Sequence, residues 1–277
     1  MFSIIIPLYN KQNCIAETIN SVLSQAFFSV EIIVVDDGSI DGSKSVVESI
    51  KDNRVHLYTK PNGGPSSARN YGVAKAQGEW ILFLDADDIL EPNALSVISN
   101  TIKSHPGCAF FCFNHYVEAN GITKIYSTQY KDGYLCNAFY SWCVRKCMPR
   151  AGAAVFKREL LLEHPFDEQL RRYEDAESLF EIMRTTKVYR SHIPIMTYRL
   201  DNVSASYARK DISEDFIGHL SMKGKSMWEQ YALWQLYLQG LDLYPNDMNR
   251  LYVRKEMRTW KVKVADFIIK KRYKIWR

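Results

Sequence analysis

A tight cluster of carboxylates, Asp85-Ala86-Asp87-Asp88, directly follows an apolar run at residues 80–84 of this 277-residue chain. Like charges a few ångströms apart raise one another's pKa, so such a cluster calls for a partner of opposite sign. A hard divalent cation is one such partner, and Mn2+ or Mg2+ takes carboxylate oxygens together with phosphates and water. Asp85 and Asp87 are therefore candidate metal ligands in a clamp suited to a diphosphate. Acidic triplets also cap helices, and Ile89-Leu90-Glu91-Pro92 reads as the approach to one. Two further clusters sit in equivalent places: Asp36-Asp37-Gly38 closes a second apolar run, and Asn62-Gly63-Gly64 follows a third. Turn formation accounts for any one of them alone, but less well for three in register.

The elements that must position these groups alternate. Apolar, β-branched runs at 2–7, 31–36, 55–59 and 80–84 predict strands. Between the first two, Ile15, Ile19, Val22, Leu23 and Ala26 keep helical spacing, and residues 43–50 and 66–76 read as two further helices. Successive strands start roughly 25 residues apart, the length of a βαβ crossover. Short, almost continuous apolar strands imply a parallel sheet covered on both faces. In such sheets ligands bind beyond the carboxyl ends of the strands, where all three polar clusters fall. Further on, strands are expected at 109–116 and 124–126, antiparallel around Ala119-Asn120-Gly121, and at 154–156 and 195–199. Helices are expected from Lys157, at 175–184, and beyond residue 210.

Hydrophobic content of 47% and charged content of 24% suit a globular chain rather than a disordered one. No run approaches the ~18 apolar residues of a membrane span, and the start Met1-Phe2-Ser3 lacks the basic region of a secretory signal. A cytoplasmic location is the expectation. Cys108/Cys112 and Cys143/Cys147 are each four apart, a spacing that shares one face of a helix, yet neither pair has zinc-site spacing. Reduced structural thiols are expected. Of the six histidines, His105, His115, His164 and His192 are dispersed without metal spacing and read as structural or surface groups. Residues 251–277 carry ten Lys and Arg against Glu256 and Asp266, a balance of +8, so the total of +5 leaves the preceding residues at −3. In this tail Val253, Met257, Trp260, Val264 and Phe267 or Ile268 recur at spacings of four and three. Such a basic amphipathic helix suits an anionic membrane surface or packs its stripe on the domain with its cations solvated. No nucleic-acid recognition motif accompanies it.

Taken together, four segments carry a resemblance: Ser3-Ile4-Ile5-Ile6-Pro7-Leu8-Tyr9-Asn10, Val34-Val35-Asp36-Asp37-Gly38-Ser39 with Asp41-Gly42-Ser43, Asn62 to Asn70, and Asp85-Ala86-Asp87-Asp88. In order, spacing and placement they resemble the family 2 glycosyltransferases of the GT-A fold, over roughly residues 1–200. The resemblance implies an α/β fold with a mostly parallel central sheet, helices on both faces and a helical C-terminal extension. It implies a nucleotide-sugar donor, most simply a UDP-sugar, with Pro7, Tyr9 and Asn10 lining the base pocket. Asp37 and Asp36 would accept from the base, and Asn62, Gly63 and Arg69 would adjoin the donor, Arg69 from a helix start that favours phosphate. Asp85 would contact ribose or diphosphate with Ala86 beside it, Asp87 would hold the metal, and Asp88 would face either the donor sugar or the groups behind those ligands.

In the second half, Phe166-Asp167-Glu168-Gln169-Leu170 and Tyr173-Glu174-Asp175 resemble that family's acidic dipeptide at a helix start. The resemblance makes Asp175 the general base on a saccharide or lipid-linked saccharide acceptor, with Glu174 orienting acceptor or base. Inversion needs such a base, whereas acids at a helix start are also favoured by its macrodipole. Tyr173 departs from the small residue many relatives carry there. Tyr198-Arg199 with Ser204 and Ser206 resembles a downstream Tyr-Arg…Ser-x-Ser stretch, where Arg199 touches the diphosphate, organises a loop or anchors the domain. Trp142, Phe139 and Tyr140 border the acceptor cleft or fill the core. Three divisions follow: 1–105 for the donor, 106–209 for acceptor and base, and 210–277 as a basic helical extension. The competing readings are a catalytically idle nucleotide-sugar-binding or scaffold protein, and a phosphatase of the haloacid-dehalogenase type, whose nucleophile motif belongs earlier. The absence of GxGxxG disfavours a dinucleotide dehydrogenase.

Overall fold

Residues Phe2–Leu8 form β1, buried almost throughout, because a strand in the middle of a two-sided sheet has no solvent face. It pairs in parallel with β2 (Val30–Asp36) on one side and β4 (Trp80–Phe83) on the other, and β3 (Val55–Thr59) extends β2. The structure is a computed structural model, and it describes residues 1–27, 29–129, 131–147, 149–170, 173–200, 215–240 and 255–273. The connections run through α1 (Ile15–Leu23), α2 (Ser43–Ser49) and α3 (Pro65–Lys75). The chain goes outward from β1 to β2 and β3, then crosses back over β1 to β4. That reversal opens a crevice beyond the carboxyl ends of β1 and β4.

Pro7 sits in this central strand without disturbing it. The Leu8 carbonyl accepts from Asp37 N–H at 2.8 Å and the Ile5 carbonyl from Leu84 N–H at 3.0 Å. Pro7 therefore turns its nitrogen toward β4, whose pairing has ended at Phe83, so no ladder bond is lost.

The sheet continues in the order β3-β2-β1-β4-β9-β6-β10-β5. β9 (Ala154–Lys157) enters antiparallel to β4, and β6 (Phe110–Ala119) runs antiparallel to β9. β10 (Val188–Arg199) is parallel to β6, and takes β5 (Ile89–Leu90) and β8 (Gly133–Tyr134) antiparallel. β7 (Ile122–Ile125) folds back on β6 through Asn120 and Gly121, whose φ values of 51° and 71° match a left-handed hairpin turn. The sheet is thus mixed: the parallel expectation holds for β1–β4, and the second half adds antiparallel pairs. The expected helix approach at residues 89–92 is instead β5, because Glu91 N–H is claimed by the Ile195 carbonyl at 2.8 Å. The helix starts later, as α4 (Ala94–Ser104), behind Asn93 at φ 63°.

Period-two alternation divides the core between the two faces of the sheet. Ile4, Ile6 and Leu8 join α1, Val47 of α2 and α4 on one side; Ile5 joins α3 on the other. That second side also holds α5 (Ala138–Cys143), α6 (Arg158–Glu163), α7 (Glu174–Thr185), α8 (Met227–Gly240) and α9 (Trp260–Tyr273). Phe139 and Trp142 meet the Phe180 ring edge-on at 5.2 and 5.0 Å, and Tyr140 meets Trp228 at 4.7 Å. The first two are core residues rather than cleft residues. Cys112 lies on a strand, not a helix, with its sulfur 3.2 Å from that of Cys147. No helix among the described residues is long and apolar enough to cross a membrane.

His115 on β6 is 1% exposed and stacks on Tyr126 at 4.4 Å, with neither ring nitrogen hydrogen-bonded. Burial, aided by the Arg150 cation, pushes its pKa from 6.5 to about 3. The unfolded chain therefore binds a proton between these values that the native state refuses, and stability falls as pH drops below 6.5. The expected loss is about 1.4 kcal/mol per pH unit from this residue. Urea denaturation between neutral pH and pH ~5 checks it: His115→Phe should flatten the slope, and an unchanged slope refutes the assignment.

Candidate active site

The β2 end of the crevice is built as a braced turn. Asp36 is buried and accepts Ser39 N–H at 3.0 Å, which makes it a turn former. Asp37, also buried, accepts Gly63 N–H at 2.9 Å, Gly64 N–H at 2.7 Å and the Lys60 ammonium at 2.7 Å. Its carboxylate thereby fixes the Asn62-Gly63-Gly64 turn and keeps one acceptor position of about four. Gly38 has φ +77°, and a Cβ there would meet Asn62 N at 3.0 Å, so the two loops approach as closely as glycine permits. Asn10, at φ 52°, accepts Ile40 N–H at 2.9 Å and ties the β1 exit to the same turn. Pro7 is half-buried, and Tyr9, 47% exposed, presents its ring at the rim.

Beyond β4 the carboxylates part company. Ala86 is buried and its carbonyl accepts Thr18 Oγ1 of α1 at 3.0 Å, anchoring the loop. Asp87 meets the Lys11 ammonium at 2.5 Å. Burial raises its pKa, Lys11 opposes the rise and Asp85 adds to it. Asp88 turns inward, 2% exposed, and accepts Arg199 N–H at 3.1 Å. Burial, then the charge of Asp85, holds its pKa well above the ordinary carboxylate value. Asp85 stays open to solvent and meets Arg69 at 3.2 Å.

Arg69 joins the two halves of the site. Only 5% exposed, it donates to Asp85 and, through its other terminal nitrogen, to Glu174 Oε1 at 2.9 Å. Burial works against its charge, and Asp85, Glu174 and Asp175 outweigh that, so its pKa rises. Its guanidinium also lies 5.5 Å from the Phe166 ring. From sequence Arg69 reads as a phosphate contact at a helix start or as a surface helix cation; the fold buries it as a bridge between Asp85 and Glu174, which excludes the surface reading. Glu174 opens α7, and burial raises its pKa against the pull of Arg69. Asp175 follows in the first turn, and no described residue hydrogen-bonds its carboxylate. Tyr173 enters the helix at φ 54°, a left-handed conformation in which glycine is unstrained. That explains in physical terms why a small residue suits this position.

Three cations escaped the sequence reading. Lys11 and Lys60 follow β1 and β3, so the strand-end rule that selected the acids also marks them. Arg150 had no local signal. Its guanidinium stacks on the Tyr198 ring at 3.7 Å; burial works against its charge, and Tyr198, Asp175, Asp88 and Asp85 raise its pKa. Arg199 takes the anchoring alternative, with Glu17 oxygens at 2.6 and 2.8 Å and Glu118 at 3.5 Å. Asp201, Ser204 and Ser206 of its stretch, like Val253 of the tail, lie outside the described residues.

Acids outnumber cations here: Asp85, Asp87, Asp88, Glu174 and Asp175 stand against Lys11, Arg69 and Arg150. No group of three or more His, Cys, Asp or Glu among the described residues could by itself hold a metal ion. The donor set fits a cation that shares its shell with ligand phosphates and does not fit a closed metal cage. Replacing Arg69 by Ala should lower stability by about 3–5 kcal/mol, since it strands two carboxylates in a partly buried site. Guanidinium denaturation of Arg69→Ala and Arg69→Lys measures this, and a loss below ~1 kcal/mol would reduce the bridge to a surface contact.

The sequence profile of Glycosyl transferase family 2 matches residues 3–163, more than half of the chain. The chain is 31% identical over 207 residues to the minor teichoic acid biosynthesis protein GgaA of Bacillus subtilis, covering 68% of this chain and 44% of that one. It therefore spans less than half of that relative's length. It is 30% identical over 230 residues to the GalNAc(5)-diNAcBac-PP-undecaprenol beta-1,3-glucosyltransferase of Campylobacter jejuni, covering 79% of this chain and 72% of that one. Staphylococcus aureus TarS 1–349 in complex with UDP-GlcNAc superposes with TM-score 0.69 at 22% identity, over 88% of this chain and 74% of that one. The mannosyltransferase PcManGT from Pyrobaculum calidifontis, in complex with GDP-Man and Mn2+, gives 0.58 at 17% identity, over 100% and 76%. These likenesses show the GT-A fold. With the strand-end motifs in place and the family profile matched across them, the chain belongs to glycosyl transferase family 2.

Proposed function

We propose that the chain transfers a sugar, with inversion, from a UDP-sugar to a hydroxyl of a saccharide carried on a lipid. The observation that carries this reading is the Asp175 carboxylate, which no described residue hydrogen-bonds on the first turn of α7, while its neighbour Glu174 is tied to Asp85 through Arg69. A base free to accept a proton, set against a diphosphate-type clamp, supports a single displacement. The acceptor hydroxyl gives its proton to Asp175 as its oxygen attacks the anomeric carbon. No carboxylate is then needed to form a covalent intermediate, and none to protonate a departing diphosphate.

The donor side follows from the same geometry. Tyr9 offers a ring face to a nucleobase, and the remaining acceptor position of Asp37 suits a base N–H. Asp87, with Asp85, would hold Mn2+ or Mg2+, which when bound offsets charge on the leaving diphosphate. For Asp87 to take the cation Lys11 must release it, and the ammonium would then turn to a phosphate oxygen. Asp88, buried and held by Arg199 N–H, supports the loop rather than the donor. A donor of nucleotide-sugar type is consistent with the UDP-GlcNAc and GDP-Man complexes among structures of this fold. A lipid-linked acceptor in surface polysaccharide or glycolipid synthesis is consistent with the names of the two relatives, and it would set the enzyme at the cytoplasmic face of a membrane.

Two substitutions separate the roles. Asp87→Ala should abolish the Mn2+ dependence of UDP binding in calorimetry; binding that never depended on metal refutes the clamp. Asp175→Asn should leave UDP affinity within about twofold and lower transfer by roughly 10²–10⁴. Transfer that survives this change removes Asp175 as the base.

A further inference from the structure

The apolar residues of the tail, read in sequence as one stripe, are divided by the fold between two faces. Met257, Val262, Ala265 and Ile269 are at most 6% exposed and belong to the core beside α8. Tyr231 of α8 donates its hydroxyl to Asp266 at 2.9 Å, and Lys261 donates to the Lys225 carbonyl at 2.9 Å, which fixes the rotation of α9. The opposite face is left with Trp260 at 69%, Val264 at 40% and Phe267 at 65% exposure. These recur at i, i+4 and i+7, one line along the helix, and Ile268 at 36% widens it. Lys271 continues the line and Lys263 flanks it, both exposed. Asp266, the acid of α9, is already paired with Lys270 at 2.7 Å, and among the described residues no acid forms an ion pair with Lys263 or Lys271.

We infer that this outer face of α9 is a docking surface for an anionic lipid bilayer, entered by Trp260, Val264 and Phe267 with Lys263 and Lys271 at the head groups. The occupant follows from the pairing of chemistries. A partner protein of ordinary apolar surface would leave the lysines without counter-charge, whereas a bilayer supplies an apolar interior beneath anionic head groups at the depth a lysine stem spans. An aromatic pair beside cations is also the composition of interfacial helices. The inner stripe meanwhile holds the helix against α8, so docking requires no unfolding. This inference rests on the proposed lipid-linked acceptor for its purpose, but not on the transfer chemistry.

Co-sedimentation of the whole chain with vesicles tests it. Vesicles of phosphatidylcholine with phosphatidylglycerol should bind the protein, high salt should weaken the binding, and phosphatidylcholine alone should bind far less. Trp260→Ser combined with Phe267→Ser should lower partitioning roughly tenfold or more, and Lys263→Glu with Lys271→Glu should remove the preference for phosphatidylglycerol. UDP affinity, read by calorimetry in the same variants, should stay unchanged. Failure of the wild type to bind, or equal binding by the Trp260/Phe267 variant, overturns the inference. So does a wild-type dimer in sedimentation velocity that the same variant disperses, because the face would then belong to a second copy. Transfer to a soluble saccharide is independent of all these outcomes, so the loss of one reading does not count against the other.

Discussion

The site depends on one buried cation. Arg69 holds Asp85, just past β4, and Glu174, at the start of α7, which are 89 residues apart in the chain. Burying a guanidinium carries a large desolvation cost, met only when its partners are close and well directed. Two carboxylates and the Phe166 ring meet that condition here. The bridge couples the loop after β4 to the start of α7, and so sets where Asp175 stands relative to Asp85. Beside it, Arg150 carries its charge between Asp85, Asp88 and Asp175, and Asn70 ties α3 to Phe166 and Glu168 ahead of α7.

The same logic governs the other acids. Each carboxylate in the crevice except Asp175 has a named donor: Lys60 and two peptide N–H groups for Asp37, Lys11 for Asp87, Arg199 N–H for Asp88, and Arg69 for Asp85 and Glu174. These donors offset part of the negative charge, while burial and neighbouring acids still hold the pKa values of Asp87, Asp88 and Glu174 up. What a cation would add is compensation for the diphosphate. No described residue hydrogen-bonds Asp175, which suits the role proposed for it, since every hydrogen bond to a carboxylate lowers its basicity.

The donor half was legible in sequence because its signals are local. Strand periodicity located β1–β4, and Asp and Gly at their ends marked the crevice, since the strand-end rule needs no knowledge of distant residues. The acidic dipeptide was legible through resemblance. What escaped depends on contacts between remote segments: the Lys11–Asp87 and Arg69–Glu174 pairs, the inward turn of Asp88 and the stacking of Arg150 on Tyr198. Lysines and arginines are usually solvated, so their types alone do not show which ones are drafted into a site. β5 was missed because two residues carry no periodicity, and their strand exists only where β10 offers an edge. In the tail, hydropathy indicated a stripe but not that α8 would take one part of it and leave another exposed.

The central claim is a single displacement driven by Asp175 and the diphosphate clamp, with no covalent intermediate. The anomeric configuration of the product tests it most directly, read by proton NMR coupling from a UDP-α-sugar donor during transfer. The account predicts a β-linked product from the first turnover. An α-linked product would require a second displacement or a front-face mechanism, and would contradict the role assigned to Asp175.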